Sequence, residues 1–265
     1  MPWFPELVLA AELARKHARE AGHADPVGRY LAALDSGDIH ELEETWPGEI
    51  VLADPQAGEI RGHRRLQEFV RDSRSMLASR HARINRESSL VDGGRAVLEL
   101  MVDLTTHGRQ ISWPVAIVAD SPDEWSVMFR SYYRPLDGAD RARPPILPPA
   151  EARPGDVVGW FVAALRSADA AGAVAAFAPH GYLREPDGIH RGPGELLEFL
   201  TSRLAGGGID VEECAITDDG VRCAFEFNRR HGTGLRAGIA VFERGDDGLL
   251  TAVHLYDDVL PSTGR

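Results

Sequence analysis

The sequence predicts an α+β protein built from two copies of one domain. The chain repeats itself: Val27-Gly28-Arg29-Tyr30-Leu31-Ala32-Ala33-Leu34-Asp35 returns as Val158-Gly159-Trp160-Phe161-Val162-Ala163-Ala164-Leu165-Arg166. With the register held, Trp46 meets Phe177 and Asp54-Pro55 meets Glu185-Pro186. One residue is then dropped, and Arg61-Gly62 meets Arg191-Gly192; near the two ends, Tyr132 meets Tyr256 and Leu136 meets Leu260. A repeat of more than ~100 residues is a whole domain and not a solenoid unit. In each copy, stretches of helical spacing come first and long β segments follow, the order of an α+β domain.

The elements follow in order. Residues 1–24 form an N-terminal extension, with Leu7, Val8, Ala11, Ala14 and Ala18 at helical spacing. Domain one covers residues 25–137. A helix starts at Val27, Gly37-Asp38 ends it and caps a second helix toward Trp46, and an apolar strand runs from Glu49 to Asp54. A turn at Pro55-Gln56-Ala57-Gly58 leads through a short return to a third helix carrying Leu66, Phe69, Val70 and Met76. Four strands follow, 82–91, 95–106, 109–120 and 125–133. Turns at Asp92-Gly93-Gly94, His107-Gly108 and Ser121-Pro122-Asp123 separate them. Residues 138–155 hold five prolines and read as an extended, stiff linker. Domain two, residues 156–261, repeats the order: helix, helix, strand, short return, helix, four strands.

Composition narrows the functions. The 265 residues carry a formal net charge of -12, which disfavours nucleic acid and anionic membrane as partners. No apolar run reaches the roughly 18 residues of a membrane span, and the N-terminus lacks the basic start of a secretory signal. A cytoplasmic protein is expected. Cys214 and Cys223 are then expected to stay reduced, although a disulfide across Asp218-Asp219-Gly220 is conceivable. The histidines are scattered without metal-ligand spacing, so neither metal nor other cofactor is expected. Lys16 is the single lysine, which removes Schiff-base chemistry from both domains. Gly232-Thr233-Gly234 reads as a hairpin, because a dinucleotide loop needs other spacing and a strand-to-helix setting.

The phrase Arg29-Tyr30-x-Ala-Ala-Leu34, Gly37-Asp38, Asp54-Pro55, Gly62, Phe69 resembles the nuclear-transport-factor-2-like superfamily, in its SnoaL-like and ketosteroid-isomerase-like branch. The resemblance covers both copies. It implies two cone-shaped domains, each of three helices on a curved antiparallel sheet. Because such domains dimerise through the sheet, it also implies an internal pseudo-dimer, with a monomeric chain overall as one outcome. Fold alone does not choose a reaction, since this one hosts isomerases, cyclases, epoxide hydrolases and binding modules.

The resemblance makes Asp54 the candidate general base, a carboxylate at the mouth of an apolar cone that takes a proton beside a ketone. As an alternative, an Asp before proline simply shapes a turn. Tyr30 falls where ketosteroid isomerases keep the tyrosine that steadies the substrate oxygen. Their second, acidic donor is missing from the strand Trp113-Pro114-Val115-Ala116-Ile117-Val118. In domain two Phe161 replaces Tyr30 and Glu185 replaces Asp54, so a second site would rest on Glu185 with His190, His254 or Asp257. Trp46, Trp113, Phe129 and Phe161 are expected to line the substrate pocket. Glu99 and Glu226 are expected on the outer sheet face. If that face were reversed, Asp54 with Glu99 or Asp103 would suit epoxide opening. Arg130, His254, Tyr132, Tyr133 and Tyr256 are likewise read as outer-face residues, and Phe69 and Phe199 as core.

Two functions compete. One is a cofactor-independent enzyme acting on a small hydrophobic polyketide- or steroid-like compound, as isomerase, cyclase or epoxide-opening enzyme. A limonene-epoxide-hydrolase type is disfavoured, because the Arg-x-Asp step of that group is missing from the central strand. The other is a binding or scaffold module with a degenerate site. The surroundings of Asp54 discriminate: an enzyme needs the carboxylate buried among apolar groups with a partner.

Overall fold

A computed structural model describes residues 6, 7, 9, 10, 13, 47–121, 123, 125–136, 145–151, 153–231 and 234–256. The chain divides into two compact units, Met1–Tyr133 and Arg134–Arg265.

Unit one contains β1 (Ile50–Asp54), β2 (Gly58–Arg61), α1 (His63–Ser79), β3 (Arg83–Asp92), β4 (Arg95–Thr106), β5 (Arg109–Asp120) and β6 (Val127–Tyr132). The strand order is β2-β1-β6-β5-β4-β3. The apolar run of β1 is buried along its whole length, as a strand covered on both faces requires. Between β4 and β5 the register closes on Thr106↔Arg109, leaving a two-residue loop. His107 and Gly108 both have positive φ there (49° and 72°), the condition of a type I′ hairpin turn. In α1, Leu66, Val70, Ser73 and Leu77 form the buried stripe, one helical face. Phe69 and Met76 flank that stripe and are only half-buried. Glu6, Leu7, Leu9, Ala10 and Leu13 are helical, as the spacing of the extension predicts.

Unit two contains α2 (Val157–Arg166), α3 (Ala170–Ala175), β7 (Phe177–Glu185), β8 (Gly188–Arg191), α4 (Gly192–Arg203), β9 (Val211–Asp218), β10 (Arg222–His231), β11 (Gly234–Arg244) and β12 (Leu250–Leu255). Its order, β8-β7-β12-β11-β10-β9, is that of unit one strand for strand. Asp156 and Asp169 cap α2 and α3, accepting from the amides of Val158 (3.0 Å) and Gly172 (2.8 Å). Arg244 ties Asp156 to Asp218. Burial by itself would raise the Asp218 carboxyl. Hydrogen bonds from Arg244 and the Gly220 amide outweigh burial and hold it below its ordinary value. The β10–β11 register closes at His231↔Gly234, so the two strands pair antiparallel on either side of it. Cys214 and Cys223 are both free and buried, and burial pushes their thiols up to about 11 and about 12.

The sheets differ from the antiparallel expectation in one respect. β1 lies parallel to β6, and β7 parallel to β12, so each sheet is mixed. The first strand of each copy turns away through a hairpin and a helix, and its free edge is then taken by the last strand of the meander. Among the described residues no helix is long and apolar enough to cross a membrane.

Candidate functional site

Strand alternation assigns the faces. In unit two, Leu183, Phe225, Phe242, Val253 and Leu255 join the helix residues Phe161, Leu196, Phe199 and Leu200 in one core. The sheet face carrying them is the inner face. The matching positions in unit one are Leu52, Leu98, Ala119, Phe129 and Ser131. They follow the registers Leu52↔Phe129, Ala119↔Phe129, Ile117↔Ser131 and Leu98↔Ile117. Asp54 is two residues beyond Leu52 and shares its face.

Asp54 is 3% exposed. Its Oδ1 accepts the amides of Gln56 and Ala57, both at 2.9 Å, the turn its position before Pro55 predicts. A tertiary partner adds to this: the Tyr133 hydroxyl donates to both carboxylate oxygens at 2.8 Å. The Tyr133 ring meets Trp113 edge-on, with centroids 4.8 Å apart and planes at 73°. Trp113 faces Val102 across the sheet and is buried. Asp54, Tyr133, Trp113 and the buried Phe129 therefore belong to one face.

Tyr133 corrects the outer-face expectation. Successive residues of an extended chain point to opposite sides, so the doublet Tyr132-Tyr133 cannot lie on one face. Tyr132 pairs with Ala116 on the outer side, and Tyr133 turns in to the carboxylate. The doublet itself was the available signal. Tyr30 and Trp46 lie outside the described residues, as does Asp257.

Glu99 and Asp103 alternate with Leu98, Leu100, Val102 and Leu104 and take the outer face. Glu99 accepts from Ser88, while Asp103 accepts from Asn85 (2.9 Å) and Ser112 (2.6 Å). No pair with Asp54 forms through either. Arg130 pairs with Val118 on that outer face and lies 3.5 Å from Asp120. His254 is also outside, 3.0 Å from the Tyr182 hydroxyl.

Unit two surrounds its carboxylate differently. Arg203, in the last turn of α4, reaches both oxygens of Glu185 at 2.9 and 3.0 Å, and the carboxylate is 11% exposed. His190 is 3.4 Å away at the edge of hydrogen bonding, and its ring stacks on Phe199. Arg203 lies over the other neighbour of that stack, 5.1 Å from the Phe199 centroid. Phe161 is central to the core, edge-on to Phe177 and Phe242. The remaining void there is about 30 Å³, and its lining, including Phe161, Phe225, Phe227 and Phe242, is wholly apolar. That space suits about one water, where a ligand pocket needs some hundreds of Å³. Among the described residues no three His, Cys, Asp or Glu side chains converge to hold a metal ion.

With this geometry in view, comparison with known proteins places the first copy. The sequence profile of the SnoaL-like domain matches residues 27–124. The first copy is a SnoaL-like domain. The second unit repeats the strand order of the SnoaL-like unit. Solved structures similar to the chain include a candidate polyketide cyclase from Sinorhizobium meliloti. It is 17% identical, covering 37% of this chain and 92% of its own, with a TM-score of 0.34. An LEH-like epoxide hydrolase from M. tuberculosis is 25% identical over 38% of this chain and 78% of its own, with a TM-score of 0.33. SalBIII, the epoxide hydrolase/cyclase-like enzyme of pyran ring formation in salinomycin, is 15% identical over 40% and 89%, with a TM-score of 0.33. No curated protein resembles the sequence closely enough to count as a match.

Proposed function

We propose that the SnoaL-like unit is a cofactor-independent acid–base enzyme for a small hydrophobic oxygenated compound, and that unit two is its structural partner. One observation carries the reading: Asp54 is buried on an apolar face and held by a phenol from the residue just after β6. A carboxylate that only shaped its turn would need no such partner.

In an isomerase or cyclase, the Asp54 carboxylate takes the proton from carbon next to a ketone. The C–H pair becomes the C=C bond of an enolate, whose oxygen is steadied by a donor. Tyr30 is the proposed donor. The enolate then takes the proton back from Asp54 at another carbon, or its carbon attacks a second carbonyl of the same molecule, whose C=O bond opens to an alkoxide that takes the proton from Asp54. In an epoxide-opening enzyme, Asp54 takes the proton of water or of a substrate hydroxyl. That oxygen attacks the epoxide carbon, the C–O bond breaks, and the donor protonates the departing oxygen. Both need a base set beside an apolar wall, here Trp113 and Phe129.

The test is a panel of hydrophobic cyclic ketones, read by deuterium exchange at the α-carbon, and of cyclic epoxides, read by ring opening. The chain should accelerate one of the two reactions. Asp54→Asn keeps the shape, removes the base and should lower that rate by about 10²–10⁴-fold. If the Asn variant retains the rate, the assignment of Asp54 fails. If no member of either panel is turned over, the enzyme reading gives way to a binding module.

A further inference from the structure

We infer that Ser131 holds the substrate's oxygen in the SnoaL-like unit, and that the substrate is therefore an uncharged molecule with a hydrogen-bond-accepting oxygen. This rests on the reading of Asp54 as the base, and it adds the group that would orient the substrate against it.

Ser131 is 1% exposed, and its Oγ is buried without a hydrogen-bond partner. A buried hydroxyl left unpaired is costly, and most such groups in native structures have a partner or a role. The face is settled by register, since Ser131 pairs with Ile117, which pairs with Leu98 on the inner side. The parallel register runs through Leu52↔Phe129 and Ala53↔Arg130, and the next residue of each chain is Asp54 and Ser131. Carried one step further, that register puts the two side by side on one face, about 4.8 Å apart. The repeat supplies a second, independent observation. The position matching Ser131 in unit two is Leu255, which is buried in the apolar core and lines its residual void. The position thus takes leucine in unit two, where the carboxylate is already paired with Arg203, and serine in unit one, where Asp54 has only neutral donors.

Ser131 makes no hydrogen bond to Asp54, so the carboxylate does not activate it as a nucleophile. It is a donor waiting for an acceptor. Around it stand the carboxylate of Asp54, the phenol of Tyr133 and apolar side chains. Arg130, next in sequence, turns to the opposite face toward Asp120. An anionic substrate would meet the like charge of the Asp54 carboxylate. A carbonyl, ether or epoxide oxygen meets the Ser131 hydroxyl without that penalty.

The experiment measures binding of three bicyclic probes of one shape to the full chain by tryptophan fluorescence quenching. They are 2-tetralone, the hydrocarbon tetralin, and the carboxylate of tetralin. Wild type should bind 2-tetralone about tenfold tighter than tetralin, the value of one hydrogen bond, and the carboxylate weakest. Ser131→Ala should erase the ketone preference, leave tetralin affinity and melting temperature in place, and Ser131→Thr should restore the preference. A ketone preference that survives Ser131→Ala means that the hydroxyl serves an ordered water only, and the inference falls. It also falls if wild type does not distinguish ketone from hydrocarbon, or binds the carboxylate as well as the ketone. Asp54→Asn separates the two claims: failure of the base appears as an unchanged exchange rate in that variant, whereas failure of Ser131 appears in binding alone.

Discussion

The two halves share a strand order and a carboxylate at the same place, and they treat that carboxylate in opposite ways. Unit one holds Asp54 with a neutral phenol and two amides. Unit two holds Glu185 with the Arg203 guanidinium and fills its interior with Phe161, Phe225, Phe227 and Phe242. The phenol positions a carboxylate without neutralising it, while the arginine cancels the charge and occupies its oxygens. Duplication thus leaves one copy with a buried carboxylate held by neutral donors and the other with a carboxylate paired to a cation beside a packed core.

The largest way to break this comparison is in unit two. Phe161→Ala should destabilise by about 3–5 kcal/mol, because the ring is central to a filled core whose residual void is already small. A loss below about 1 kcal/mol in denaturant titration would mean that the cone of unit two is open. Arg203→Met comes next. It leaves the Glu185 carboxylate without its cation and should cost about 2–4 kcal/mol, with turnover unchanged in the folded fraction. Tyr133→Phe removes one donor to a buried carboxylate whose amide bonds remain. It should cost about 1.5–3 kcal/mol and, unlike Arg203→Met, slow turnover.

The smallest effect is the response to pH. Asp218 sits below its ordinary value, so the stability it lends unit two is present above the unfolded carboxylate pKa, about 4, and is lost as pH falls through its folded value. Glu6 in unit one behaves oppositely. Burial raises it despite Arg86, so its penalty grows as pH rises from about 4 toward its folded value. Asp218→Asn should therefore flatten the acid limb of the melting-temperature profile, and Glu6→Gln should raise stability at neutral pH. Parallel profiles for both variants and wild type would contradict this assignment.

The turn residues made most strand boundaries legible. His107-Gly108 with its two positive φ angles ends β4 and starts β5 where the sequence predicts. The closure of each sheet by a parallel pair was not legible, because it joins strands some 75 residues apart through no local signal. The site was half legible. Asp54 stands out through the repeat and the Asp-Pro turn, but Tyr133 was hidden by reading a tyrosine doublet as one surface. Arg203 was hidden because its contact with Glu185 spans 18 residues from strand to helix end. Ser131 could have been found by setting the copies side by side, where a serine answers the core leucine Leu255.

The most direct test of the account compares the two carboxylates in the full chain, Asp54→Asn against Glu185→Gln, on whichever panel reaction wild type accelerates. The account predicts that the first falls by at least about 100-fold with its fold intact, while the second stays within about twofold of wild type. A rate that survives Asp54→Asn and collapses with Glu185→Gln would place the chemistry in unit two and contradict the division of labour between the halves.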